Sequence, residues 1–110
     1  MSKIWIEIRT DDNCMWQLKG KVYTEANLTL TEMQESVGGL IEYMPKSYLV
    51  SDVREMVVNE EGMLHKLPIN ELATQQLGMN VTQPVFGNAL LYLDEKFITK
   101  QYWFEEEEEE

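Results

Sequence analysis

Cysteine is almost missing from this chain: Cys14 stands alone among 110 residues. An intramolecular disulfide is therefore excluded, which suits a reducing compartment. Histidine is as scarce, with His65 the single one, so the usual zinc-ligand clusters of Cys and His cannot be assembled. Long apolar runs are also lacking. The first apolar stretch, Ile4 to Ile8, is as short as a strand and is broken up by Glu7 and Arg9, which argues against a signal peptide or a membrane span. Without a secretory signal, the glycosylation patterns Asn27-Leu28-Thr29 and Asn80-Val81-Thr82 read as chance matches. The expectation is a protein of the cytoplasm that makes no use of a membrane. Clustered positive charge is absent as well: the nine Lys and Arg residues are scattered, and none adjoins another. A phosphate backbone is bound by grouped bases that displace counterions, so direct nucleic-acid binding is not expected.

Acidic residues, by contrast, are abundant. Of the 20 Asp and Glu, six form the terminal run Glu105 to Glu110; the other 14 face nine bases, a net of −5 within a total of −11. The run cannot bury apolar surface, and its self-repulsion keeps it extended and solvated, as a solubilising tail or a contact for a basic groove. Six charges make a small patch for mimicry of a nucleic acid. A basic protein surface is the partner that this charge favours. With 44% hydrophobic residues, residues 1–104 suffice for one domain with its own core, followed by the acidic tail 105–110.

The pattern along the chain is that of an α+β domain. Ile4, Ile6 and Ile8 alternate with Trp5, Glu7 and Arg9, the period of a half-buried strand. The turn-forming Thr10-Asp11-Asp12-Asn13 predicts a hairpin to Met15-Trp16-Gln17-Leu18, with Lys21-Val22-Tyr23 continuing beyond a bulge at Gly20. A helix is predicted to start after Thr29 or Thr31, since Thr31 and Gln34 have capping-box spacing, and to end at Gly38-Gly39. Leu40 to Met44 reads as a strand stopped by Pro45. Tyr48-Leu49-Val50 reads as a brief strand, and Val53 to Val58 as a longer one before the turn Asn59-Glu60-Glu61-Gly62. A second helix spans about Ile69 to Leu77, with Asn70 as its cap and Gly78 as its close. Val85 to Leu93 and Phe97 to Phe104 complete the set. The sum is a mostly antiparallel sheet of about six strands with two short helices packed on one face.

The order of these motifs resembles a small-domain family of phages and bacteria, domain of unknown function 3846. The resemblance rests on Ser36-Val37-Gly38-Gly39-Leu40-Ile41-Glu42, on Val58-Asn59-Glu60-Glu61-Gly62, on Leu67-Pro68-Ile69-Asn70-Glu71-Leu72-Ala73-Thr74 and on Pro84-Val85-Phe86-Gly87-Asn88-Ala89-Leu90. It covers roughly Leu28 to Leu93. It implies a phage or mobile-element origin, and no activity, cofactor or catalytic residue.

The residues themselves offer little chemistry. Ser47 or Ser51, His65 and Asp52 make a triad only on paper, because no local pattern brings them together. Gly38-Gly39 lacks the spacing and the lysine of a phosphate loop. Glu60 and Glu61 are adjacent, which on a strand sends them to opposite faces and makes a solvated turn the simpler reading. Asn70 and Thr74 share a helical face. They are read either as a cap with a polar turn or, with Asn59 and Asn88, as a small polar recognition surface. Glu60 and Glu61 complete the set of candidate binding residues. The terminal aromatics Trp5, Trp16, Tyr102, Trp103 and Phe104 suit a core or an interface, and edge strands are compatible with a homo-oligomer. The leading functional expectation is a non-enzymatic accessory protein that binds a macromolecule of phage or host, in takeover of the host or against its defences, with no cofactor. The alternatives are a protein that sequesters a small ligand such as a nucleotide signal, and an enzyme whose site is assembled by the fold.

Overall fold

The computed structural model describes residues 3–15, 17–24, 27–50 and 52–94. The expected strand Phe97 to Phe104, the acidic tail, and Trp16, Tyr102, Trp103 and Phe104 lie outside the described residues. Five strands, β1 (Lys3–Ile8), β2 (Val22–Tyr23), β3 (Ile41–Tyr43), β4 (Val53–Asn59) and β5 (Ala89–Asp94), form one sheet in the order β2-β1-β5-β4-β3. Every pairing is antiparallel. Two short α-helices, α1 (Leu30–Val37) and α2 (Glu71–Thr74), pack on it, and a 3-10 turn spans Lys46–Tyr48. The architecture is the expected α+β class. No helix among the described residues is long and apolar enough to cross a membrane.

The helices do not share a face of the sheet. Along β1, Ile4, Ile6 and Ile8 point to one side and Trp5 and Glu7 to the other. The isoleucines pack with Met56, Val58, Leu91, Leu93 and Val85, and with Leu72 and Ala73 of α2. Trp5 packs instead with Val57, Leu90 and Leu28, and with Met33 and Val37 of α1. α1 thus covers one face, while α2 and the connection 60–88 cover the other. Both faces of β1 are buried for this reason, where its alternation predicts a half-buried strand. On the α1 face, Trp5 sits beside its cross-strand partner Tyr92, with ring centroids 4.9 Å apart.

Four local expectations shift. The partner of β1 on its outer side is Val22–Tyr23, and Met15, Gln17 and Leu18 lie outside any strand. Asp12 causes the difference: its carboxylate accepts from the amides of Arg9 (2.7 Å) and Lys19 (2.8 Å), drawing the segment between them into a loop. The helix cap is Thr29, whose Oγ1 accepts from Glu32 N (3.1 Å) while Glu32 Oε1 accepts from Thr29 N (2.9 Å). The predicted pair Thr31 and Gln34 does not form the cap. Gly38 ends α1 in the left-handed region at φ 83°. The last described strand starts at Ala89 rather than Val85, because Gly87 at φ 86° breaks the run and Phe86 bridges to Ile69. Tyr48-Leu49-Val50 contributes one isolated bridge, Leu49 to Leu77, in place of a strand.

Candidate functional site

Four of the six candidate residues hold the fold together. Asn70 is fully buried. Its Nδ2 donates to the carbonyls of Ile8 (2.9 Å) and Gly87 (3.0 Å), and its Oδ1 accepts from Ala73 N (3.0 Å) to cap α2. Thr74 Oγ1 donates to Asn70 O (2.7 Å) and accepts from Val85 N (2.9 Å). Asn59 Nδ2 donates to Val37 O (3.1 Å), and its Oδ1 accepts from Glu61 N (2.7 Å), the short side-chain bond of an Asx turn. Asn88 Oδ1 accepts from Thr10 N (3.2 Å), and its Nδ2 donates to Ser36 O (3.4 Å). The structure brings Asn70 and Thr74 together. Asn59 and Asn88 tie other parts of the sheet to the end of α1, and these polar groups turn inward.

Glu60 and Glu61 sit at the tip beyond β4. Glu60 is exposed, and its amide donates to Leu40 O (2.8 Å). Glu61 Oε1 lies 3.1 Å from His65 Nε2, an exposed i, i+4 pair. The histidine therefore faces Glu61, not Ser47 or Asp52. Among the described residues no group of three His, Cys, Asp or Glu side chains is placed to hold a metal ion. Gly62 closes the turn because a Cβ there would stand 2.7 Å from Phe86 O.

A buried acid escaped the sequence reading. Glu7 Oε2 accepts from Ser36 Oγ (2.6 Å) and Oε1 accepts from Lys21 N (3.3 Å), joining β1, α1 and the approach to β2. The signal was present: an acid flanked by Ile6 and Ile8, on the same strand face as Trp5, has to find donors if that face is covered.

The exposed chemistry lies elsewhere, along the outer edge of β3. Three adjoining recesses of about 170, 260 and 550 Å³ run beside it and share lining residues. Glu42, Met44, Tyr48, Val81, Gln83 and Pro84 each line at least two of the three. Glu42 and Glu60 supply the carboxylates of this groove. From Val22 to Val53 the chain carries Glu25, Glu32, Glu35, Glu42 and Asp52 against a single base, Lys46. Leu30, Leu40 and Tyr43 are large apolar side chains exposed on α1, the α1–β3 link and β3. α1 and β3 thus carry Glu32, Glu35 and Glu42 and no base, together with these exposed apolar groups.

No curated protein and no solved structure matches the chain. A family model, Domain of unknown function (DUF3846), matches residues 17–102, a wider span than the motifs between Leu28 and Leu93. The ordered glycines, the Asn-Glu-Glu-Gly turn and the capped α2 all fall within it, and the chain belongs to that family.

Proposed function

We propose that this domain is a non-catalytic binding module whose partner is a protein with a basic surface. One observation carries the reading: α1 and β3 carry Glu32, Glu35 and Glu42 and no base, and they and the link between them expose Leu30, Leu40 and Tyr43. Exposed apolar groups on elements that carry charge of one sign favour a partner of the opposite sign, since the charges steer the approach and the apolar contacts hold the complex. The candidate polar residues add to this. Asn59, Asn70, Thr74 and Asn88 spend their hydrogen bonds inside the fold, which leaves recognition to the surface described above. The resemblance in sequence supplies the setting, an accessory protein of phage or mobile-element type acting in the host cytoplasm.

The test is affinity capture from bacterial lysate with the intact chain and with a version ending at Phe104. A stoichiometric basic protein retained by both forms, and released by salt, supports the reading. Loss of capture on truncation assigns the contact to the glutamate run, and an empty capture with both forms overturns the proposal.

A further inference from the structure

The geometry points to the open edge of β3 as the docking strand: an extended segment of the partner, carrying Lys or Arg opposite Glu42, adds to the sheet there as a further strand. This rests on the reading of a basic protein partner and names its site and its form.

The backbone provides the first argument. Glu60 N donates to Leu40 O (2.8 Å) and Met44 N to Met56 O (2.9 Å), and β3 pairs with β4 in the register Ile41–Asn59, Glu42–Val58, Tyr43–Val57. In an antiparallel ladder alternate residues turn their N–H and C=O toward the neighbouring strand. Leu40, Glu42 and Met44 therefore face β4, and the N–H and C=O of Ile41 and Tyr43 face outward. β3 is the last strand on its side, and no described residue pairs with that edge. Edges in monomeric proteins are blunted by shortness, charge, proline or a bulge. Between Leu40 and Met44 β3 has no lysine, proline or bulge; its protection is its three-residue length, stopped by Pro45, and the negative charge of Glu42, which a basic guest would neutralise. The opposite edge, β2, is two residues long and follows Lys21.

The side chains provide the second. Ile41 packs on the α1 face and Tyr43 Oη lies 3.5 Å from Met33 Sδ, so Glu42 and Met44 look to the other face, into the groove. A guest strand in register would alternate in the same way. Its groove-side residues would meet a carboxylate, Glu42, above an apolar floor of Met44, Tyr48, Val81 and Pro84. That combination fits a long cationic side chain, whose aliphatic stem lies on apolar surface while its head finds the acid. A second copy of this chain is a poorer guest. Paired about Glu42, it would set two carboxylates directly opposite each other, which destabilises a cross-strand pair.

The experiment is selection of randomised dodecapeptides on the full chain and on its Glu42→Lys variant, with the enriched peptides then titrated into the labelled proteins and followed by amide NMR. The wild type is expected to enrich alternating β-branched and basic peptides and to show protection of the Ile41 and Tyr43 amides. Glu42→Lys, at an exposed position, is expected to weaken those peptides by about tenfold or more and to accept their Lys/Arg→Glu counterparts. Basic peptides that bind but perturb amides away from 40–48, or ignore Glu42→Lys, overturn the docking strand and leave the functional reading standing. Enrichment with no basic preference, or none at all, overturns both. A concentration-dependent dimer that protects Ile41 and Tyr43 without peptide also overturns the proposal, in favour of a second copy.

Discussion

Replacing Asn70 by alanine would strip donors from two buried carbonyls, Ile8 O and Gly87 O, and the acceptor from Ala73 N. Unmet buried polar groups are costly, so a loss of about 3 kcal/mol is expected in urea unfolding at equilibrium. Thr74 sits in the same relay. Thr74→Ser keeps the hydroxyl between Asn70 O and Val85 N and should unfold near the wild-type midpoint, while Thr74→Val should lose about 1–2 kcal/mol. If either Asn70→Ala or Thr74→Val were as stable as the parent and only partner binding fell, their role would be recognition. At the surface the stakes are smaller. The hydrogen bond from Lys19 Nζ (3.2 Å) holds the Asp11 carboxyl below its ordinary value. A lowered carboxylate stabilises above its unfolded value, and the contribution is lost as pH falls through the folded one. Because Asp11 is fully exposed, that effect is screened by salt, and Lys19→Ala should leave the unfolding midpoint at neutral pH almost unmoved.

At the scale of elements, the two threonines before and within α1 give a clean contrast. Thr29→Ala breaks both arms of the capping box and should cost about 1 kcal/mol, whereas Thr31→Ala, on the exposed first turn, should cost little; thermal unfolding of the pair distinguishes them. Both Thr29-x-x-Glu32 and Thr31-x-x-Gln34 satisfy the local pattern, and choosing between them depends on where Leu28 and Met33 meet the sheet. That is a tertiary fact. Other elements were legible because their cause is local. Alternating isoleucines mark β1, Gly38 ends α1 by its left-handed backbone, and Asn70 caps α2 as its side chain permits. The outer partner of β1 was not legible, since Asp12 reaches amides on both sides of its loop and displaces the pairing to Val22–Tyr23. α2 is shorter than the Ile69–Leu77 pattern because Ile69 and Leu77 are drawn into bridges with Phe86 and Leu49.

For the whole molecule, strand order decides what can be seen from sequence. Nothing in Ile41-Glu42-Tyr43 states that this strand lies at an edge, and a strand of the same composition in the centre would have no outward amides. The candidate residues chosen by type, Asn59, Asn70, Thr74 and Asn88, direct hydrogen bonds into the fold, and only the tertiary arrangement reveals it. The same order predicts how the molecule opens. Amides of β1, β5 and β4, flanked on both sides and covered on both faces, should exchange slowest, and those of β2 and the outward pair Ile41 and Tyr43 fastest, in a hydrogen-exchange time course. Protection of Ile41 and Tyr43 equal to that of β5 in the free monomer would contradict the open edge.

The pairing of β1 with β5 across the middle of the sheet, Lys3 opposite Asp94 and Ile8 opposite Ala89, also has a consequence during synthesis. The ribosome makes the first of these strands early and the second only after Ala89, so the central seam closes late. Until then β1 and β4 have no strand between them, and the apolar side chains meant for both layers have nowhere to go. A nascent chain of this protein is therefore expected to bury its two apolar layers late, once β5 has left the exit tunnel.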